Sequence, residues 1–100
     1  MKLRLLESAR EDLAAGYEFY EEQQVGLGGH FLESLFADLD ALIAFSGIHP
    51  QSGGFHRALS DRFPFGIYYR VAADETVVFA VLDLRRRPSW IRRRLRRSGS

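Results

Sequence analysis

Hydrophobic and polar positions along the chain change period several times, and each change marks an element. Lys2-Leu3-Arg4-Leu5-Leu6 alternates polar and apolar, as a short strand does. Ser8-Ala9-Arg10-Glu11 then has the form of a capping box, with Glu11 and Asp12 near the positive end of the helix that follows. Ala9, Leu13, Tyr17 and Tyr20 recur at helical spacing and predict a buried stripe. Gly26-Leu27-Gly28-Gly29 interrupts the run and predicts a turn. A second helix follows, its apolar face made by Phe31, Leu32, Leu35, Phe36, Leu39, Leu42 and Ile43. Two helices joined by so short a turn form an antiparallel hairpin.

The second half changes to strand-like runs. Ser46 to Gly54 reads as a loop by composition. Phe55–Ser60 and Phe65–Val71 are two strands with Pro64 in the turn between them, and Ala73-Asp74-Glu75 makes a hairpin into a third. That third run, Thr76-Val77-Val78-Phe79-Ala80-Val81-Leu82, is continuously apolar, the pattern of a central strand buried on both faces. Pro88 suits the first position of a last helix passing through Trp90, Ile91 and Leu95. The predicted order is β-α-α-β-β-β-α, an α+β domain over residues 1–97 with residues 98–100 as a disordered tail. A helical hairpin lies on one face of a small, mostly antiparallel sheet. Phe65, Ile67, Tyr69 and Val71 point to the helices, and Gly66, Tyr68 and Arg70 to an open second face where activity is expected.

Charge changes this picture most. The net charge is only +1, but residues 1–40 carry nine acids against three bases, a balance of −6, while residues 41–100 carry eleven arginines against four acids, a balance of +7. Eight of those arginines fall between Arg85 and Arg97. Such a segment serves either an anionic partner, nucleic acid or acidic protein, or merely a solvated helix surface. At 100 residues and 46% apolar composition the chain holds one core, and no run approaches the length that spans a bilayer. It lacks cysteine and a leader-like start, and a cytoplasmic location without membrane association is expected.

Candidate chemistry is sparse. His30, His49 and His56 are scattered over helix, loop and strand without metal-ligand spacing, so no metal site is expected. His56 next to Arg57 reads first as structural and second as a general base. Tyr69 reads as core, and Tyr68 beside Arg70 as a contact for a partner. Exposed Phe19 is a further partner mark, and the glycines near residue 28 make a turn, not a phosphate loop. No base-reading motif accompanies the arginines, which leaves direct nucleic-acid binding open.

These residues also carry a resemblance. Ala9-Arg10-Glu11-Asp12-Leu13, Phe19-Tyr20, Gly26-Leu27-Gly28, Arg57-Ala58-Leu59, the segment from Phe63-Pro64-Phe65 to Tyr69-Arg70-Val71, Val77–Val81 and Arg85-Arg86-Arg87-Pro88 together resemble the RelE/ParE toxins of type II toxin–antitoxin modules, also called plasmid stabilisation proteins. The resemblance spans nearly the whole chain and implies the same element order. RelE-like members cut messenger RNA on the ribosome with basic residues and usually a tyrosine, which move protons and stabilise the crowded phosphate. ParE-like members share the fold and poison DNA gyrase.

The chain departs from the nuclease pattern. Leu59 replaces a second basic residue, Gly66 stands where an arginine is usual, and Trp90 with Ile91 occupies the place of a tyrosine. An indole exchanges no proton as a phenol does, and arginine is a poor proton shuttle. The resemblance therefore implies a ParE-like, non-enzymatic gyrase inhibitor without cofactor, held in a hetero-oligomer by a ParD-like antitoxin. Its target- or antitoxin-binding residues are expected to be Arg57, Tyr68, Arg70, Arg85, Arg86, Trp90, Arg93 and Arg94. The alternatives are a degenerate endoribonuclease built on Arg57, Arg70, Arg85 and His56, and a fold relative without toxicity.

Overall fold

The structure, a computed structural model, describes residues 2–99. Strand β1 (Lys2–Leu5) leads into helix α1 (Glu7–Gln23) and helix α2 (Leu27–Phe45). Four strands follow: β2 (Gln51–Ser52), β3 (Phe55–Leu59), β4 (Phe65–Ala72) and β5 (Glu75–Asp83), and helix α3 (Pro88–Gly99) ends the described chain. The sheet order is β1-β5-β4-β3-β2, parallel only between β1 and β5. The expected α+β order is present, with a two-residue strand, β2, added inside the segment read as a loop. The last helix continues through Ser98 and Gly99, beyond its expected end at residue 97; Ser100 lies outside the described residues.

Two local expectations fail for a shared reason. Ser8 does not cap α1. The helix starts two residues earlier, after Leu6, whose amide still donates to the Val78 carbonyl 3.0 Å away, so strand runs into helix without a free capping position. The Ser8 hydroxyl instead donates to the Phe79 carbonyl at 2.7 Å. Phe79 is the extra residue of a β-bulge: Tyr68 pairs with Ala80 while Tyr69 pairs with Val78. The bulge also lets Val78 and Val81, three residues apart, both face the helices, whereas Phe79, Ala80 and Leu82 face the other way.

Tyr17, expected in the α1 stripe, is partly exposed, and Gly16 takes its place inside. A Cβ on Gly16 would lie 2.5 Å from the Phe31 ring, so the absent side chain is what lets α2 press an aromatic against α1. Phe31, Leu35, Leu39 and Leu42 fill the helical side of the core, while Phe36 and Ile43 are left at the surface. Glu21 closes the turn between the helices by accepting from the amides of Gly26 and Gly28.

The second face of the sheet is not open. Helix α3 lies over it and buries Leu95 with Phe55, Tyr68, Ala80 and Leu82, flanked by Trp90 and Ile91. The sheet is therefore sandwiched, with the α1–α2 hairpin on one side and the arginine-rich helix on the other.

Candidate functional site

Covering the second face redistributes the residues expected to act there. Tyr68 is 1% exposed and belongs to the core beneath α3, so it is not a partner contact. Its strand neighbour Tyr69 is core on the helical side, as expected. His56 faces the helical side too, paired across from Tyr69 and stacked on its ring, whereas Arg57 pairs across from Tyr68. Alternation along β3 thus sends His56 and Arg57 to opposite faces, and a general base at His56 cannot serve a phosphate held by Arg57. A Cβ on Gly66 would stand 3.1 Å from Leu84, 3.2 Å from Tyr68 and 3.3 Å from the Arg57 stem. The position that carries arginine in the nuclease pattern is therefore crowded here, and a side chain would enter only if these neighbours shifted.

The arginines divide into those engaged within the fold and those turned outward. Arg94 makes a bidentate pair with Asp12 at 2.6 and 2.8 Å, with side chains only 12% and 13% exposed. One Asp12 oxygen also accepts from the Val81 amide at 3.0 Å, so this carboxylate joins α1, β5 and α3. Arg94 is thus a structural clamp and not a binding residue. Arg85 chelates Asp83 and reaches the Tyr20 hydroxyl at 3.3 Å, on the α1 side of the molecule and away from the α3-covered face. Burial pushes the Asp83 carboxyl up, but hydrogen bonds and charge from Arg85 outweigh it and hold the group below its ordinary value. Burial is the main cause that raises the Tyr20 phenol.

Arg70 is held over the Phe55 ring at 4.2 Å and donates to the Gly54 carbonyl at 3.2 Å. Arg86 lies 4.3 Å over the Trp90 ring. Arg57 on β3, Arg87, and Arg92, Arg93 and Arg96 on the outer surface of α3 are exposed. These arginines are permanent cations, able to hold an anionic or acidic partner but not to move protons at neutral pH.

Two features were missed in the sequence. The first is the cleft of about 330 Å³ between α1, β5 and the start of α3, lined by Phe19 and Trp90 among others. The second is a cluster in which the Tyr69 hydroxyl meets the Gly47 amide at 2.9 Å and His49 Nδ1 at 2.5 Å, while His56 Nδ1 lies 2.7 Å from the His49 carbonyl. Burial lowers the His49 pKa, and the neighbouring His56 adds to the effect. No periodicity announces a loop histidine meeting a core tyrosine twenty residues away. Among the described residues no group of three or more His, Cys, Asp or Glu could hold a metal ion, and no helix is long and apolar enough to cross a membrane.

No protein-family model matches the sequence, and no curated protein matches it significantly. The structure is similar to a chain from the chromosomal ParDE TA (toxin–antitoxin) system of P. aeruginosa, with a TM-score of 0.74 at 20% identity. The likeness covers 84% of this chain and 96% of that one. At that identity it shows a common fold: the chain has the ParE-like α+β architecture.

Proposed function

We propose that the chain is the toxin of a type II toxin–antitoxin module of the ParE kind, neutralised by a ParD-like antitoxin and directed against DNA gyrase. The observation that carries this reading is the fold shared with nearly the full length of a ParDE chain, combined with the exposed arginines. In this reading the chain acts by binding. Arg57, Arg86, Arg87, Arg92, Arg93 and Arg96 supply the charge that draws an acidic partner, and a cytoplasmic toxin–antitoxin hetero-oligomer is its resting form.

The ribonuclease alternative draws no support from the geometry, because His56 and Arg57 face opposite sides of the sheet and Gly66 is hemmed in. The test is induced expression in a bacterial host, with RNA 5′ ends and DNA supercoiling read from one culture. Growth arrest with altered supercoiling and intact transcripts supports the gyrase reading. Arrest with cut transcripts overturns it in favour of a nuclease, and the absence of arrest assigns the chain to the fold relatives without toxicity.

A further inference from the structure

The cleft beside α1 places apolar surface next to one of the outward arginines, Arg86. On the α1 side it is lined by Ala15 and Gly16, which add little bulk, and by Phe19, with Trp90 opposite on α3. Phe19 is 49% exposed, a large apolar area to leave against water. The two carboxylates that reach the cleft, Asp12 and Asp83, are already paired with Arg94 and Arg85. What the cleft offers an occupant is therefore apolar surface, while its rim is cationic: Arg86 sits over Trp90, and Arg85 lies 5.9 Å from the centre of the Phe19 ring.

We propose that this cleft is a peptide-binding site, taking one bulky apolar side chain from an acidic segment of a partner protein. The volume, about 330 Å³, is at the small end of ligand pockets and suits one large side chain. Carboxylates flanking that side chain would meet the exposed Arg86 at the rim. The chemistry favours a peptide over a nucleic acid, because a base is read through free donors and acceptors, and both carboxylates that line this cleft are already taken up by arginines. The walls are also held in advance. The Asp12–Arg94 clamp fixes α3 against α1, so little ordering opposes binding. The site goes beyond the toxin reading and stands without it.

Trp90 is the only tryptophan in the chain and reports on the cleft directly. The probe is a short capped peptide with one phenylalanine between glutamates, titrated at low salt while Trp90 emission is followed. The comparators are the same peptide with alanine for phenylalanine and a single-stranded oligothymidylate. The expected result is a saturable change in emission with the phenylalanine peptide and binding at least about tenfold weaker with the alanine one. Ala15→Phe, which fills the cleft from an exposed helix position, and Phe19→Ala, which removes a wall, each weaken binding by a similar factor. Arg62→Ala, a cation away from the rim, does not. Circular dichroism confirms that each variant is folded, and Phe19→Ala keeps the test valid if Ala15→Phe is not. Equal binding of the two peptides would reduce the effect to the arginine coat and overturn the proposal. So would a saturable response to the oligothymidylate that depends on Phe19, or no response to the phenylalanine peptide. None of these outcomes bears on growth arrest, so the two readings fail separately.

Discussion

Asp12 and Arg94, eighty-two positions apart, form a bidentate ion pair that is largely shielded from water and bolts the last helix to the first. The pair also positions the β5 backbone, because Asp12 accepts from the Val81 amide. Removing one partner strands the other charge in a poorly solvated place. Arg94→Ala and Asp12→Ala are each expected to cost about 3 kcal/mol. The double variant should cost clearly less than the sum of the two, and Arg94→Lys should recover only part of the loss, since an ammonium cannot span both oxygens. Urea unfolding of these four variants and the parent protein checks this. Additive losses would mean that the two side chains do not act as a pair.

The sequence announced neither role. Asp12 stands near the start of a helix, where any acid is favoured, and Arg94 is one of eight arginines in thirteen positions. Local pattern does not say which arginine in such a run turns inward. The element order was legible because it rests on periodicity and turn chemistry, and Val77 to Leu82 could only be a central strand. The faces were less legible. Alternation assigned Tyr68 correctly to the side opposite the hairpin, but a strand pattern cannot tell whether that side is bare or covered by a helix. The bulge at Phe79 breaks the period of two, and no residue type marked it in advance.

Because Tyr68 is a core residue, its truncation should act on stability before it acts on any partner. Tyr68→Ala is expected to cost about 3 to 5 kcal/mol, as large-to-small changes in a packed core do. A thermal melt of the purified variant checks this. A stable Tyr68→Ala protein would contradict the packing of α3 over the sheet.

Gly66→Arg is the change that would restore one element of the nuclease pattern. The surroundings, with Leu84, Tyr68 and the Arg57 stem all within 3.3 Å of a Cβ, predict a destabilisation of about 1 to 3 kcal/mol. Without a base on that face, no RNA cleavage should appear. Melting temperature and a transcript-cleavage assay on the same preparation test both halves.

Acid should loosen the loop that follows α2. His49 Nδ1 and the Tyr69 hydroxyl share a hydrogen bond at 2.5 Å, and the His49 pKa is lowered by burial and then by His56. A group whose folded pKa lies below its unfolded value of 6.5 leaves stability at its full level above about pH 6.5. As pH falls below that, the unfolded chain takes up a proton that the folded chain resists, and stability declines until the folded histidine titrates as well. Urea midpoints from pH 8 to 5 should be flat and then fall, and His49→Leu should remove most of that fall although it lowers the plateau. An unchanged slope in the variant would assign the acid sensitivity to other groups.

The outward arginines offer the cleanest separation of binding from folding. Arg92, Arg93 and Arg96 are exposed on α3, whereas Arg94 in the same helix is clamped inside. Replacing the exposed three with alanine should change stability by no more than about 0.5 kcal/mol per site. It should also weaken association with an acidic partner and flatten its salt dependence, since exposed charges act through a field that salt screens within about 10 Å. In the toxin reading the triple variant therefore melts like the parent protein and arrests growth less. Arg94→Ala loses arrest as well, but only together with its melting temperature. Measuring growth and melting on both proteins distinguishes the two causes, and full arrest by a well-folded triple variant would remove the arginine face of α3 from the binding surface.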